Sequence, residues 1–229
     1  MDRVKWLWRY LWQLLADGEY WGLLLGFTAV FVGYLTVWLP GPAAGLTLIG
    51  VEMGEWLKFL GVGARRDIFY LPPITLGLLL ALWTMRWQNG RWQTWFMRGL
   101  AVAVSLLAFP AIADLTGPVR HEYLLRVQLI GLVVLVAGVC GVAAHWRETA
   151  VVGWLPWLLL FVVGLVGGVL PLWYYLGEIR PYFSQVIGVP LGVGPGVWLN
   201  TLGHLLVALI ALRQLLPTQK GDALHRPSG

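Results

Sequence analysis

The sequence predicts an all-α, polytopic integral membrane protein, a helix bundle with about six transmembrane helices. Long stretches without charge are the first reason. Five runs of 18 to 32 residues contain no Asp, Glu, Lys or Arg, namely 20–51, 68–85, 127–144, 149–177 and 181–212. A hydrocarbon core about 30 Å thick needs about 20 apolar residues of helix to cross it. Composition is the second reason, because 59% of the residues are hydrophobic and only 12% are charged, too few charges to keep a soluble surface hydrated.

Tryptophan placement is the third observation. The chain contains 15 tryptophans, and this residue is enriched where the membrane meets water. Most of them stand near the expected ends of spans. The inner set is Trp21, Trp83, Trp87, Trp92, Trp95, Trp146 and Trp154, and the outer set is Trp38, Trp56, Trp173 and Trp198.

Residues 1–19 are predicted to form an amphipathic helix at the cytoplasmic membrane interface. One helical stripe is apolar, and Lys5, Arg9 and Gln13 fall on the opposite face. A basic amphipathic helix rich in tryptophan lies in the headgroup layer. A simple extension of the first span is the alternative. A cleaved signal peptide is not expected, because no small-residue cleavage site follows promptly.

The transmembrane domain is predicted over residues 20–213. Its first span covers 20–39 and ends at Pro40-Gly41-Pro42, which cannot continue a helix. The connector that follows contains a short predicted helix over 50–60, too charged to span, that lies on the outer surface or dips into it. Its apolar side is formed by Met53, Trp56, Leu57 and Leu60, and its other side by Glu52, Glu55 and Lys58.

The remaining spans are predicted over 68–86, 95–113, 124–145, 149–175 and 189–212. The charge-free part of 95–113 is short, and Arg98 is expected to extend its side chain to the interface. Residues 214–229 are polar and are predicted to be a disordered cytoplasmic tail.

Orientation follows from the distribution of Lys and Arg over the short loops. With six spans both termini share one side, and that side carries ten of the 16 basic residues, against six on the other. Cytoplasmic loops carry the excess of positive charge. Both termini are therefore predicted to be cytoplasmic, in a multi-pass protein of a bacterial inner (plasma) membrane.

Small residues recur at four-residue spacing in three glycine pairs, Gly22/Gly26, Gly50/Gly54 and Gly164/Gly168. Such spacing lets helix backbones approach closely in lipid. Packing within the chain is favoured over a dedicated dimer motif, since glycine is abundant throughout.

The last span carries the candidate substrate-binding residues Asn200, Thr201 and His204. Asn200 and His204 lie one helical turn apart on a common face. Polar groups within a span are costly and point into the bundle or a cavity. Such groups relay protons or bind substrate, or they form hydrogen bonds between helices. The preceding Gly194-Pro195-Gly196 is interpreted as the turn before the span, with an unwound, site-lining stretch as the alternative.

A second polar cluster is expected on the outer face, formed by Asp114, His121, Glu122 and Glu178. A metal site requires three or four converging ligands, and the sequence has no paired-His, CxxC or HExxH spacing, so no metal is expected. Glu122 and Arg126 are also spaced for an ordinary helical ion pair.

These patterns leave three classes of function open. Absence of nucleotide-binding, nucleophile or metalloprotease motifs favours a non-catalytic membrane component, either an accessory subunit of a membrane complex or part of a transport system. A self-sufficient transporter or channel using Asn200 and His204 is the first alternative. An intramembrane lipid-modifying enzyme using Asp114, His121 and Glu122 is the second. The expected partners are the lipid bilayer and a protein subunit, without nucleic acid and without a cofactor, and the oligomeric state stays open.

Overall fold

The computed structural model describes residues 18–60, 63–87, 91–143 and 150–216, which are predominantly helical. These residues include five helical segments long and apolar enough to cross a membrane: Gly18–Leu35, Arg65–Arg86, Leu124–Val142, Gly153–Ile187 and Pro195–Leu215. The prediction of a helical protein with several segments able to span a membrane is thereby confirmed. The helix predicted over 1–19 and the tail predicted over 214–229 lie outside the described residues, apart from the short stretches where they meet them.

The described helices are, in chain order, α1 Gly18–Leu35, α2 Gly50–Leu57, α3 Leu71–Trp83, α4 Trp92–Ser105, α5 Ile112–Thr116, α6 Leu124–Ala143, α7 Ala150–Tyr174, α8 Arg180–Ile187 and α9 Pro195–Leu215. Two short antiparallel strands, β1 Val37–Leu39 and β2 Leu48–Ile49, form a hairpin after α1. A 3₁₀ segment, Gly63–Tyr70, leads into α3, and a π turn, Tyr175–Ile179, joins α7 to α8.

Helix α3 occupies the centre of the bundle. It packs against α1, α4, α6 and α7, and almost all of its residues are buried. Helix α9 packs against α1 and α7 on one side of this centre, and α4 packs against α6 on the other. The 3₁₀ segment, the hairpin, α2, α5 and α8 all lie at one end, called the hairpin end below.

Glycines set the distance between α9 and its two neighbours. A Cβ at Gly33 would lie 2.5 Å from the Asn200 backbone nitrogen, and a Cβ at Gly203 would lie 2.7 Å from the Gly26 carbonyl oxygen. Gly26 and Gly33 thus meet Gly203 and Gly196 in antiparallel order, with the same spacing on both helices. In lipid, the burial of apolar surface contributes little to helix association. The close van der Waals contact between these glycine backbones therefore stabilises the packing of α1 against α9.

The predicted small-residue pairs also serve contacts within the chain. Gly22 and Gly26 face α9, and so do Gly164 and Gly168 of α7. Gly50 lies against Tyr34 and Trp38, and Gly54 against the ring of Tyr70. The expectation of intramolecular packing is confirmed for all three pairs.

Helix α1 ends at Leu35, four residues earlier than predicted, because the next residues enter the hairpin. The last carbonyls of a helix need partners outside it. The Thr36 hydroxyl donates to Val32 O at 3.0 Å, and the Trp38 indole donates to Gly33 O at 2.9 Å. Side chains that follow the helix therefore complete its final turn.

The short helix predicted over 50–60 is present as α2, continued by the turn Lys58–Leu60. Met53 and Leu57 are buried beneath it, and Glu52 is exposed. Trp56 is exposed as well, although the sequence pattern placed it on the apolar side. The location of this helix on the outer membrane surface stays a prediction.

The span predicted over 95–113 corresponds to α4 and the 3₁₀ turn Leu106–Ala108, which end before Phe109-Pro110. Together they are about 27 Å long at the usual rise per residue. This segment is not among the five candidate spans of the described residues. The sixth crossing therefore stays a prediction.

Arg98 does not extend to the interface as predicted. It is buried, its Nε donates to the Thr84 hydroxyl at 3.0 Å, and its Nη2 donates to Cys140 O at 3.1 Å. Cys140 belongs to the last turn of α6, where carbonyls lack helical partners and the dipole favours a cation. Arg98 thus stabilises the end of a neighbouring helix.

The last span begins at Pro195, six residues later than predicted. Gly194 is the extended N-cap residue, and its backbone N–H donates to Trp38 O at 2.9 Å. Of the predicted turn Gly194-Pro195-Gly196, only Gly194 precedes the helix, and Pro195 and Gly196 form its first turn, so the segment is a helix start and not an unwound stretch. Helix α7 matches the predicted 149–175 and continues through the π turn into α8.

We expect Gly33→Ala to lower the free energy of unfolding by about 1–3 kcal/mol, because its methyl group would force α1 away from the α9 backbone. Reversible unfolding in mixed detergent micelles measures this. The matched control is Gly131→Ala in α6, where no described atom lies within 4 Å of the added Cβ and alanine has the better helix propensity. Equal effects of the two substitutions would contradict glycine-mediated packing.

Candidate functional site

The candidate residues of the last span lie inside the bundle. Asn200, Thr201 and His204 are all buried, and the side chain of His204 has no exposed surface. They lie on the part of α9 that faces α7 and α3. We refer to them, with Thr75 of α3 and Gly167 of α7, as the His204 network.

Both ring nitrogens of His204 have partners. Nδ1 lies 2.9 Å from Asn200 O, and Nε2 lies 2.8 Å from the Thr75 hydroxyl. A carbonyl oxygen only accepts, so Nδ1 carries a hydrogen and donates it. In the neutral ring Nε2 is then an acceptor. The single Thr75 hydroxyl hydrogen is shared between Nε2 and the Leu71 carbonyl oxygen, which lies 2.7 Å from the hydroxyl oxygen. This tautomer follows from the partners, and it ties α9 to α3.

A proline in α7 explains the contact of Asn200. Pro171 has no N–H and so cannot donate to the carbonyl of Gly167, four residues earlier. Asn200 Nδ2 donates to that same oxygen at 3.4 Å, and the Thr201 hydroxyl donates to Gly168 O at 3.5 Å. Side chains of α9 thus donate hydrogen bonds to backbone carbonyls of α7. Such donors are needed inside a bilayer, where no water is present to supply them.

Gly167 fits the imidazole ring directly against the backbone. A Cβ at this position would lie 2.5 Å from the Thr75 hydroxyl oxygen and would also overlap the ring of His204. The network is therefore closely packed as well as hydrogen-bonded. The structure shows hydrogen bonds between helices, whereas substrate binding by Asn200, Thr201 and His204 stays a prediction.

The polar residues predicted on the outer face do not converge. Asp114 pairs with Lys58 at 3.6 Å, Glu122 with Arg66 at 3.2 Å, and Glu178 with Arg65 at 3.4 Å, whereas His121 is exposed. Within the described residues no three His, Cys, Asp or Glu side chains are grouped closely enough to hold a metal ion. The predicted cluster is thus three separate ion pairs.

The helical pair expected between Glu122 and Arg126 is replaced by two longer-range pairs. Glu122 lies in the 3₁₀ turn Arg120–Glu122 before α6 begins, so the two residues do not share a regular helix. Glu122 pairs with Arg66, and Arg126 pairs with Asp67 across a distance of 3.7 Å.

A buried charge cluster centred on Arg126 was not anticipated from the sequence. The Arg126 side chain is 1% exposed, and its guanidinium carbon lies 3.9 Å from the ring centre of Tyr70 and 5.0 Å from that of Tyr123. Such cation–π contacts strengthen when the charge is desolvated. The Tyr70 hydroxyl donates in turn to Glu55 of α2. We call Asp67, Tyr70, Tyr123 and Arg126 the Arg126 cluster.

Hydrogen bonding in this cluster is incomplete. Among the described residues, none of the Arg126 side-chain nitrogens and neither Asp67 carboxylate oxygen has a hydrogen-bond partner. Removing charges from water is expensive, and their mutual attraction offsets this only with good geometry. The two charges therefore depend strongly on each other.

A sequence signal for this pair exists in retrospect. Asp67 directly precedes the span predicted over 68–86, and Arg126 lies at the start of that predicted over 124–145. With six alternating spans, both begin on the same side of the membrane. Two opposite charges at the starts of spans that begin on the same side of the membrane are candidates for an ion pair. Counting the charges of each loop separately does not reveal this pair.

The opposite end of the bundle is closed by a second polar contact. Arg86 donates to one carboxylate oxygen of Glu19, and Gln214 donates to the other at 2.6 Å. The Arg86 guanidinium also lies over the ring of Trp157, 4.4 Å from its centre. These contacts connect α1, α7, α9 and the turn after α3.

Comparisons with known proteins found no match: no family model, no curated protein and no solved structure corresponds to this chain.

We expect Asp67→Asn to destabilise the protein by about 3–5 kcal/mol, because it leaves the Arg126 charge buried without a counter-charge. Asp114→Asn is the matched control, since its pair with Lys58 is partly solvated and surface pairs contribute about 0–1 kcal/mol. Unfolding in detergent micelles measures both. A second substitution, Arg126→Met in the Asp67→Asn background, should recover part of the loss. Equal effects of the two Asn substitutions would show that the buried pair is unimportant.

Proposed function

We propose that the protein is a non-catalytic membrane component, either an accessory subunit of a membrane complex or the membrane part of a transport system whose energy-coupling subunit is separate. The observation that carries this proposal is the state of His204. Its two nitrogens are engaged in hydrogen bonds within the chain, and its side chain has no exposed surface. The buried imidazole therefore acts as a structural link between helices.

The outer carboxylates support the same proposal. Asp114, Glu122 and Glu178 are each engaged with a different basic side chain. General acid–base catalysis needs a carboxyl group within reach of a substrate proton and a pKa suited to proton transfer. Because each of these three carboxylates is paired with its own basic side chain, a structural role is favoured over catalysis on a lipid substrate.

A carrier is the second candidate, and one atom favours it. Among the described residues, the Asn200 side-chain oxygen is buried and has no hydrogen-bond partner. An unpaired acceptor of this kind costs about 1–3 kcal/mol. In a carrier, a solute with a donor group would bind this oxygen after α9 moves away from α7.

Substitutions in the His204 network distinguish the two candidates. For a structural role, Thr75→Val should lower stability by about 1 kcal/mol, because it removes a hydrogen bond between helices. It should leave association with partner subunits unchanged at temperatures where the variant is folded. Thermal unfolding and native gel migration of the complex extracted in mild detergent measure the two effects.

The decisive comparison uses purified protein reconstituted alone into liposomes and tested with a panel of small solutes. If the protein transports a solute by itself, and folded Asn200→Ala and Thr75→Val variants do not, the subunit proposal is wrong and the carrier is correct. The subunit proposal would also be contradicted if a tagged chain, extracted from its native membrane in mild detergent, migrated on a native gel only as a single chain without partners.

The proposed topology has six crossings with both termini in the cytoplasm of a bacterial inner membrane, as the excess of Lys and Arg on that side supports. Arg91 directly precedes α4, and Val119 follows α5 at the hairpin end; both are exposed. We expect cysteines introduced at these two positions to react from opposite sides with a membrane-impermeant thiol reagent. The native chain is the control, because its single cysteine, Cys140, is buried. Labelling of both positions from one side would show that α4 does not cross.

A further inference from the structure

A groove at the hairpin end combines an apolar wall with two opposite charges. It lies between the 3₁₀ segment Gly63–Tyr70 and the junction of α7 with the π turn, and its volume is about 420 Å³. Ile68, Leu170 and Trp173 form the apolar part, and Arg65 and Glu178 form the charged part. We call this the Arg65–Glu178 groove.

The two charges are close together and accessible. Arg65 Nη1 lies 3.4 Å from a Glu178 carboxylate oxygen, and the side chains are 71% and 54% exposed. A surface ion pair of this kind contributes little to stability, about 0–1 kcal/mol. Rearranging it around a ligand would therefore cost little. This sets it apart from the Arg126 cluster, which is sealed within the bundle.

The groove lies at the level expected for lipid headgroups. Arg65 is the first residue of the candidate span Arg65–Arg86. Glu178 lies in the π turn just beyond α7, within the candidate segment Gly153–Ile187, whose 35 residues exceed the about 20 that a crossing needs. Trp173, whose side chain is 71% exposed, is of the type that favours the membrane interface. Leu170 lies almost one helical turn further towards the middle of α7, so the apolar wall extends from the charges towards the hydrocarbon.

We infer that this groove binds a phospholipid with a primary ammonium headgroup, phosphatidylethanolamine. Arg65 is suited to the phosphate, since guanidinium groups bind phosphate through charge-assisted hydrogen bonds. Glu178 is suited to the ammonium, which donates to carboxylates. Leu170, Ile68 and Trp173 then contact the upper part of an acyl chain. This inference goes beyond the proposed function and does not depend on it.

Charge complementarity selects this lipid over its competitors. A purely anionic phospholipid would place its phosphate beside Arg65, but Glu178 would gain nothing and would repel the negative charge. A choline headgroup carries methyl groups in place of N–H donors, so it cannot form hydrogen bonds with the Glu178 carboxylate. An adjacent cation and anion match a headgroup that carries both charges and can donate.

The test measures lipid binding to the delipidated, full-length chain by native mass spectrometry and by the lipid-induced increase in melting temperature. Phosphatidylethanolamine, phosphatidylcholine and phosphatidylglycerol with identical acyl chains are compared. We expect the native chain to bind phosphatidylethanolamine about tenfold more tightly than phosphatidylcholine, since a hydrogen bond to a charged group is lost with the latter.

Two substitutions separate the parts of the headgroup. Glu178→Gln should abolish the preference for phosphatidylethanolamine over phosphatidylcholine, and Arg65→Gln should weaken binding of both by about tenfold. Both side chains are exposed, so folding is expected to be preserved. Lys58→Gln and Asp114→Asn, which remove the other solvated pair at the hairpin end and do not line the groove, should leave lipid binding unchanged.

Three results would overturn the inference. Equal binding of phosphatidylethanolamine and phosphatidylcholine by the native chain would show that only the acyl chains are recognised. Tighter binding of phosphatidylglycerol would show a purely anionic site. A loss of preference in Asp114→Asn equal to that in Glu178→Gln would show that general surface charge, and not this groove, controls lipid binding.

Discussion

The close contact of α9 with α1 and α7 is the constraint on which the rest of the bundle depends. Apolar side chains gain little by exchanging lipid contacts for contacts with one another, so helices in a membrane associate through packing and hydrogen bonds. Gly33 and Gly203 allow the backbones of α1 and α9 to approach closely, and Gly167 does the same for α7 and α9. Only at that separation can the short side chains of Asn200 and Thr201 reach carbonyls on α7. The polar contacts of the interior thus follow from the glycines.

Pro171 shows how one local defect determines the chemistry of a neighbouring helix. Its ring removes one donor from α7, and the freed carbonyl of Gly167 would be costly in an apolar environment. Asn200 on α9 supplies the missing donor. A polar residue within a span, which from sequence alone is a candidate for substrate binding, here has a structural reason. Hydrogen bonding to Gly167 explains the side-chain nitrogen of Asn200, and it does not explain the buried side-chain oxygen, which has no partner among the described residues.

Sequence patterns predicted the five long apolar helical segments because the ability to cross a membrane depends on length and charge, both of which are local. The partners of the charged residues were beyond such patterns. Arg98 was expected to reach the interface, since nothing in the chain shows that Cys140 O lies beside it. The end of α1 was misplaced because residues 37–39 pair with residues 48–49 in a hairpin. Of the candidate site, the burial of His204 was predictable, whereas the contacts of Asp67 and Arg126 required the fold.

The pairing of α1 with α9 has a consequence for biosynthesis. Residues 36–194 separate the two helices, and at ordinary translation rates of about 5–20 residues per second the later one is made roughly 8–30 s after the earlier. During that interval the glycine-lined surface of α1 has lipid or another protein as its neighbour. Helix α1 can therefore reach its native packing only after α9 has been synthesised. A ribosome that stalls before α9 leaves an intermediate in which the glycine-lined surface of α1 lacks its native partner.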